Sequence, residues 1–177
     1  MIILLKNGLV YSPKFLNKKD ILILQDKIAR VDDFISIPPK DFLESTVIDI
    51  KDKYVVPGFI DLHVHIIGGG GEGGYTTRVS EIQLNSIIEN GVTTIAGLLG
   101  TDGTTRSLQG LLAKSRSLDL EGINTFIWTG CYQFPTRTIT DSCRDDIILI
   151  DKIIGAGEIA ISDHRSSNPL DHDIENL

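Results

Sequence analysis

The sequence has little cysteine, no long apolar run and no basic cluster. Two cysteines among 177 residues, Cys131 and Cys143, do not make a disulfide framework, and free thiols in a reducing cytoplasm are the simpler reading. No stretch approaches the roughly 20 apolar residues that span a bilayer. The apolar start Met1–Leu5 is stopped by Lys6-Asn7-Gly8. It has neither the basic segment before it nor the small-residue cleavage site after it that mark a secretory signal. Seventeen basic residues against 24 acidic ones leave a net charge of −7. Nucleic acid and anionic membrane surfaces are therefore poor partners. What is present is an ordinary soluble balance, 41% hydrophobic and 23% charged, which excludes a disordered tail, a collagenous rod and a coiled coil.

The texture changes near Pro57. Before it, short β-rich runs at Met1–Leu5, Leu9–Tyr11, Ile21–Leu24, Ile28–Val31 and Val47–Ile50 are separated by turn residues. They predict a small antiparallel, sandwich-like and incomplete β domain over residues 1–56. After it, apolar strands alternate with helical spacing. Strands are expected at Val55–His65, Val92–Leu99, Asn124–Thr129 and Glu158–Ser162, and helices at Glu81–Asn90, Leu108–Leu120 and Arg144–Ile154. Continuous apolar strands of this kind are parallel and covered by helices. Their spacing matches the roughly 31 residues per unit of a TIM-type barrel. Residues 57–177 thus read as about four βα units, the first half of a (β/α)8 barrel. The last residues, Asn168–Leu177, open another helix and stop inside it, as in a chain cut in mid-domain.

The strongest chemical signal is Pro57-Gly58-Phe59-Ile60-Asp61-Leu62-His63-Val64-His65. Histidines at i and i+2 of a strand share one face. At the C-terminal end of a barrel strand they reach the active-site mouth, and paired neutral imidazoles suit a borderline divalent metal such as zinc. A bare His-x-His is also found as two half-exposed strand residues; the βα series that follows favours ligands. The glycine run Gly68–Gly71 permits close backbone approach, and its amides could cradle a carboxylate, with Glu72 facing an ammonium group. A flexible surface loop has the same composition. Tyr132, after the third strand, could donate to a developing oxyanion or simply anchor a loop. Arg165, after the fourth, could capture a carboxylate or pair with Asp163.

These segments carry a resemblance. The Pro57–His65 run resembles the first-strand signature of the amidohydrolase superfamily of metal-dependent hydrolases. Ile67–Glu72, Gly97–Asp102, Thr129–Tyr132 with Pro135–Thr138, and Ala160–Ser166 resemble isoaspartyl (β-aspartyl) dipeptidases, in that family's order and spacing. The likeness covers the whole chain but only the N-terminal half of such a protein. It implies that His63, His65 and Glu158 are metal ligands and that Gly70, Gly71, Glu72, Thr101, Tyr132 and Arg165 contact substrate. Glu72 would face the amino group, Arg165 the α-carboxylate, and Tyr132 the scissile carbonyl. The family usually has a carboxylated lysine where this chain has Glu158. A glutamate is already a carboxylate and can bridge two cations unmodified; loss of the binuclear site in favour of one metal is the alternative.

The resemblance therefore implies a zinc-dependent metallopeptidase that cleaves β-aspartyl dipeptides with metal-activated water and holds two zinc ions per complete site. Its general-base aspartate and two further histidines would come from later strands, so the chain alone is expected to be inactive. The full-length protein would be a homo-oligomer. Two other readings stay open: a non-catalytic fragment or half of a split enzyme completed in trans by a C-terminal half, and a cyclic amidase of dihydroorotase or hydantoinase type.

Overall fold

A computed structural model describes residues 1–36 and 44–177. The chain divides into two units, Met1–Pro57 and Gly58–Leu177.

The first unit is one five-stranded sheet. Strands β1 (Ile2–Tyr11), β2 (Phe15–Leu24) and β3 (Lys27–Asp32) form an antiparallel meander. The short strands β4 (Thr46–Asp49) and β5 (Tyr54–Val55) both pair with β1 in parallel. The expected antiparallel arrangement thus holds for three strands, and the sheet as a whole is mixed. A register shift between Leu5 and Gly8 lets the two β1 runs read from the sequence continue as one strand. Leu4, Val10 and Ile21 are buried. Asp20 is buried too, and it accepts from Lys6 and from the backbone amides of Asn7 and Ile35.

The second unit is built on four parallel strands in sequential order: β6 (Phe59–Val64), β7 (Val92–Gly97), β8 (Asn124–Thr129) and β9 (Ile153–Ala156). Helices α1 (Leu84–Ile88), α2 (Leu108–Leu120) and α3 (Cys143–Leu149) lie between successive strands. Parallel strands joined in order through helices are consecutive βα units of a TIM-type barrel. Helix α2 begins where Ser107 accepts from the Gly110 amide, and α3 where Ser142 accepts from the Asp145 amide. Leu108, Leu111 and Leu118 on one face of α2 pack with Ile87, Ile95, Ile123, Ile127 and Ile153 into a single core. Burial of each such side chain contributes about 1.5–3 kcal/mol. A last short helix, α4, covers Asp171–Glu175.

The third helix and fourth strand differ from expectation. The isoleucines of residues 147–154 fit a helical period, yet α3 ends at Leu149 because Ile150 is already extended. Asp151 and Lys152 make the turn, and Ile153 pairs with Ile127 on β8. β-branched isoleucine is favoured in such a buried strand. Ile147 and Ile148 are exposed. Glu158–Ser162 is irregular and follows β9 instead of forming it. Likewise α1 is shorter than the expected Glu81–Asn90.

Candidate functional site

His63 is on β6 and His65 lies one residue past its end, on the same side of the chain. Glu158 lies two residues past β9. One ligand atom from each falls within 4.8 Å of the others. The imidazole centroids are 5.5 Å apart and steeply inclined. His63 Nε2 approaches Glu158 Oε2 to 3.4 Å, within ion-pair range, but without the alignment of a hydrogen bond. Two buried polar atoms, His65 Nδ1 and Glu158 Oε2, have no hydrogen-bond partner among the described residues. Buried orphans of this kind are costly unless something else satisfies them. Two nitrogens and a carboxylate are a donor set for a borderline divalent cation, so these residues fit a metal. Burial pushes the His65 imidazole below its ordinary pKa, and the charge of Glu158 only partly opposes this. The neutral ring offers the lone pair a cation needs.

The His65 ring is packed against backbone. Gly100, three residues past β7, has φ +72°, and a Cβ there would lie 2.3 Å from His65 Cε1 and 2.6 Å from Nδ1. Only a residue without a side chain lets the loop pass this close.

The glycine run is an excursion pinched at its base. Gly70 bridges to Arg78, and the Val79 amide donates to the Gly69 carbonyl at 2.9 Å. Gly70 is at φ +69°, and a Cβ would meet the Thr77 carbonyl oxygen at 2.6 Å. Arg106 staples both limbs of the loop. Its guanidinium donates to the carbonyls of Ile67 (3.2 Å), Gly69 (3.0 Å) and Val79 (3.4 Å). Asp102 then links Arg106 (3.1 Å) to Arg78 (2.8 Å). Burial alone would raise the Asp102 carboxyl; the Thr105 hydroxyl and amide, Arg78 and the Thr104 amide outweigh it and hold the group well below the usual range.

At the far end of the loop, Glu72 Oε1 accepts from the Thr101 hydroxyl (2.9 Å) and from Arg165 Nη1 (2.9 Å). Its own backbone amide, then Thr101, lower its pKa most, with Arg165 adding to the effect. Arg165 also grips Asp163 through Nε at 2.8 Å and Nη2 at 3.3 Å, and its guanidinium carbon lies 5.2 Å from the centre of the Tyr132 ring. Tyr132 is buried, and its backbone ties the loops after β7 and β9 together through Gly100 and Ala160. A cleft of about 280 Å³ is lined by Gly70, Gly71, Glu72, Tyr75, Arg78, Thr101, Asp102, Thr105, Gln133 and Arg165. A second cavity of about 210 Å³ shares five of these residues and reaches His65 and Glu158.

All nine residues singled out from the sequence lie on the loops and strand ends of this one unit. His65, Gly70, Glu72, Thr101, Glu158 and Arg165 line one cavity, and Gly71 lines the adjoining cleft. His63 borders a third hollow with Glu158 and Trp128. Sequence reasoning missed Arg78, Asp102, Arg106 and Asp146. Asp146, in the first turn of α3, is fully buried and accepts from the amides of Ile139 (2.9 Å) and Thr140 (2.7 Å) and from the hydroxyls of Thr140 (2.6 Å) and Thr129. It fastens the end of the loop that begins beside Tyr132. The only advance signs were Asp102-Gly103 as a turn and Asp146 at a helix start, neither of which names a tertiary partner.

The parallel βα series thus brings two histidines and a glutamate together at its strand ends. The model of the amidohydrolase family matches residues 46–103 of the chain. The chain is similar to the solved structure of a β-aspartyl dipeptidase from Fervidobacterium islandicum. Identity is 48% with a TM-score of 0.91, over 99% of this chain and 47% of that one. The same enzyme in complex with β-Asp-Leu dipeptide gives 49%, a TM-score of 0.92, and 99% and 45% coverage. A dihydroorotase of Aquifex aeolicus is 31% identical over 93% of this chain and 36% of its own length. The chain spans about half the length of those dipeptidases and about a third of the dihydroorotase. Among the described residues no helix is long and apolar enough to cross a membrane.

Proposed function

We propose that the protein is a metal-dependent β-aspartyl dipeptidase, with zinc held by His63, His65 and Glu158. In this reading residues 1–56 are part of a small β domain and residues 57–177 the first half of the catalytic barrel. The observation that carries it is the convergence of three ligand atoms within 4.8 Å beside a cavity that also holds Glu72 and Arg165. A bound divalent cation there supplies Lewis acidity and lowers the pKa of a water.

The chain's own groups bind and orient. Glu72 is ionised at neutral pH and receives the ammonium group of the aspartyl residue. Arg165 receives that residue's α-carboxylate. Glu72 and Arg165 pair with each other, and a zwitterion can replace both halves of the pair at once. The Tyr132 phenol donates to the carbonyl oxygen as it gains charge. Gly70 and Gly71 let substrate lie close to the backbone. Glu158, already a carboxylate, would hold the metal with His63 and His65 without modification.

The similarity to the β-aspartyl dipeptidase, at 48% identity, supports this substrate over dihydroorotate, whose enzyme is 31% identical. The glycine loop ending in Glu72 and the buried Tyr132 favour the same choice. The test is a zinc-loaded preparation offered β-Asp-Leu, α-Asp-Leu and dihydroorotate, read by calorimetric binding. Preference for β-Asp-Leu is expected. Preference for dihydroorotate, or equal treatment of the α- and β-linked peptides, would overturn the assignment.

A further inference from the structure

Glu72 stands in a segment that cannot hold itself in place. Six of the seven residues 68–74 are glycine, and four of these, Gly68, Gly70, Gly71 and Gly74, have φ between +69° and +107°. Glycine restricts the backbone less than any other residue, so such a loop takes its shape from whatever grips it. The grip at the tip comes from the Thr101 hydroxyl and Arg165, both on the Glu72 carboxylate itself. A substrate ammonium that takes the place of Arg165 removes half of that grip. The position of Glu72 then depends on the base of the loop.

The base is organised by one side chain. Arg106 directly precedes Ser107, the cap of α2, and is buried. Its Nε donates to Ile67 and its Nη2 to Gly69 and Val79, so both limbs of the loop hang from one rigid plane. Its Nη1 donates to Asp102. Asp102 is itself fixed by the amides of Thr104 and Thr105, and it also holds Arg78 on the returning limb. None of the bonds made by Arg106 reaches Glu72. A buried charge is costly, and an apolar residue of similar volume often serves stability as well or better. Here the charge carries geometry: a flat fork of donors meets three carbonyls and a carboxylate, which a point charge such as lysine cannot do. Thr101 and Arg106 belong to the same loop after β7, so one segment holds the glycine loop at tip and base.

We propose that Arg106 is a positioning residue: acting through the glycine loop, it sets where Glu72 stands and so gives the site its selectivity for substrates with a free ammonium group. The proposal rests on the β-aspartyl dipeptidase reading, in which Glu72 receives that group, and deepens it.

The experiment compares β-Asp-Leu with N-succinyl-leucine, the same molecule without its ammonium group, by calorimetric binding to the zinc-loaded protein. Selectivity is the ratio of the two dissociation constants. It is measured in the native protein and in three variants. Arg106→Lys keeps the ion pair with Asp102 but cannot bridge both limbs, Arg106→Met removes charge and donors, and Gly122→Ala strains the opposite end of α2. The native protein should favour β-Asp-Leu on the order of tenfold, the worth of one charge-assisted contact. In both Arg106 variants the ratio should fall toward unity through weaker binding of β-Asp-Leu, with N-succinyl-leucine little changed. Gly122→Ala should melt earlier and keep the native ratio. Amide hydrogen exchange gives a reading without ligand. The Val79 amide, bonded to Gly69, should lose protection in Arg106→Lys while the amides of β8 keep theirs. If Arg106→Met does not fold, Arg106→Lys carries the test alone. A native ratio retained in Arg106→Lys, an equal fall in Gly122→Ala, or unchanged exchange at Val79 overturns the positioning role and leaves the dipeptidase reading intact. A ratio of unity in the native protein, or failure of β-Asp-Leu to bind it, overturns the assignment of Glu72 itself.

Discussion

Replacing Gly100 by alanine puts a single methyl group where the structure has no room for one. That Cβ would lie 2.3 Å from His65 Cε1, and ordinary van der Waals contact begins near 3.4 Å. The imidazole or the loop must therefore withdraw by about 1 Å, several times the roughly 0.2 Å over which metal–ligand distances are tolerated. Displacing one ligand by this much predicts a loss of zinc affinity on the order of tenfold to a hundredfold. The positive φ adds a separate cost of about 1–2 kcal/mol for any L side chain. Gly122 separates the two effects, because it also has positive φ, at +105°, but a Cβ there meets nothing within 4 Å. Both variants should melt earlier than the native protein, and only Gly100→Ala should lose zinc in a competition titration against a chelating dye. Native zinc affinity in Gly100→Ala would refute the placement of His65 as a ligand. An equal loss in Gly122→Ala would show that the effect is general loosening.

Three further outcomes are expected. Asp146→Asn keeps the shape of the group but removes its charge and half of its acceptor capacity. A destabilisation of about 3 kcal/mol should appear in urea unfolding. Asp146 and Asp102 both have folded pKa values below the ordinary 3.8. For Asp146 burial acts upward, but the hydrogen bonds from Thr129, Thr140 and the Ile139 amide prevail. A depressed carboxyl stabilises the fold above its unfolded pKa, and that contribution fades as pH falls through 3.8 toward the folded values. The melting temperature should thus hold down to about pH 5 and drop below about pH 4, with a shallower acid limb in Asp146→Asn. Finally, Glu158 needs no carbon dioxide to become a carboxylate, so added bicarbonate should leave zinc stoichiometry unchanged. A bicarbonate-dependent rise in bound zinc would place the carboxylated group elsewhere.

Local chemistry was the part the sequence displayed. Leu108–Leu120 and Asn124–Thr129 begin and end where capping and turn residues place them, because a serine cap, a glycine stop and a period carry most of that information. The histidine pair was legible for the same reason: strand geometry alone puts i and i+2 on one side. The run from Ile147 to Ile154 was misread because isoleucines fit both periods, and pairing with β8 decided the matter. The run Val47–Ile50 was legible as a strand but its parallel pairing with β1 was not, and Val55, read as the start of the first barrel strand, ends β5 instead. Arg106, Asp102 and Asp146 could not be found in advance. Their partners lie on other loops, and a buried charge reads like a surface charge until the fold closes over it.

Trp128 is the chain's one tryptophan, and its indole N–H donates at 2.9 Å to the carbonyl of Leu62, the residue before His63. It borders the same hollow as His63 and Glu158. The protein therefore has an intrinsic optical reporter beside the proposed ligand atoms, without label or added dye. Indole emission responds to the polarity and charge around the ring. A cation arriving at the imidazoles can thus be followed in real time by fluorescence at micromolar protein, with no competing signal from a second indole.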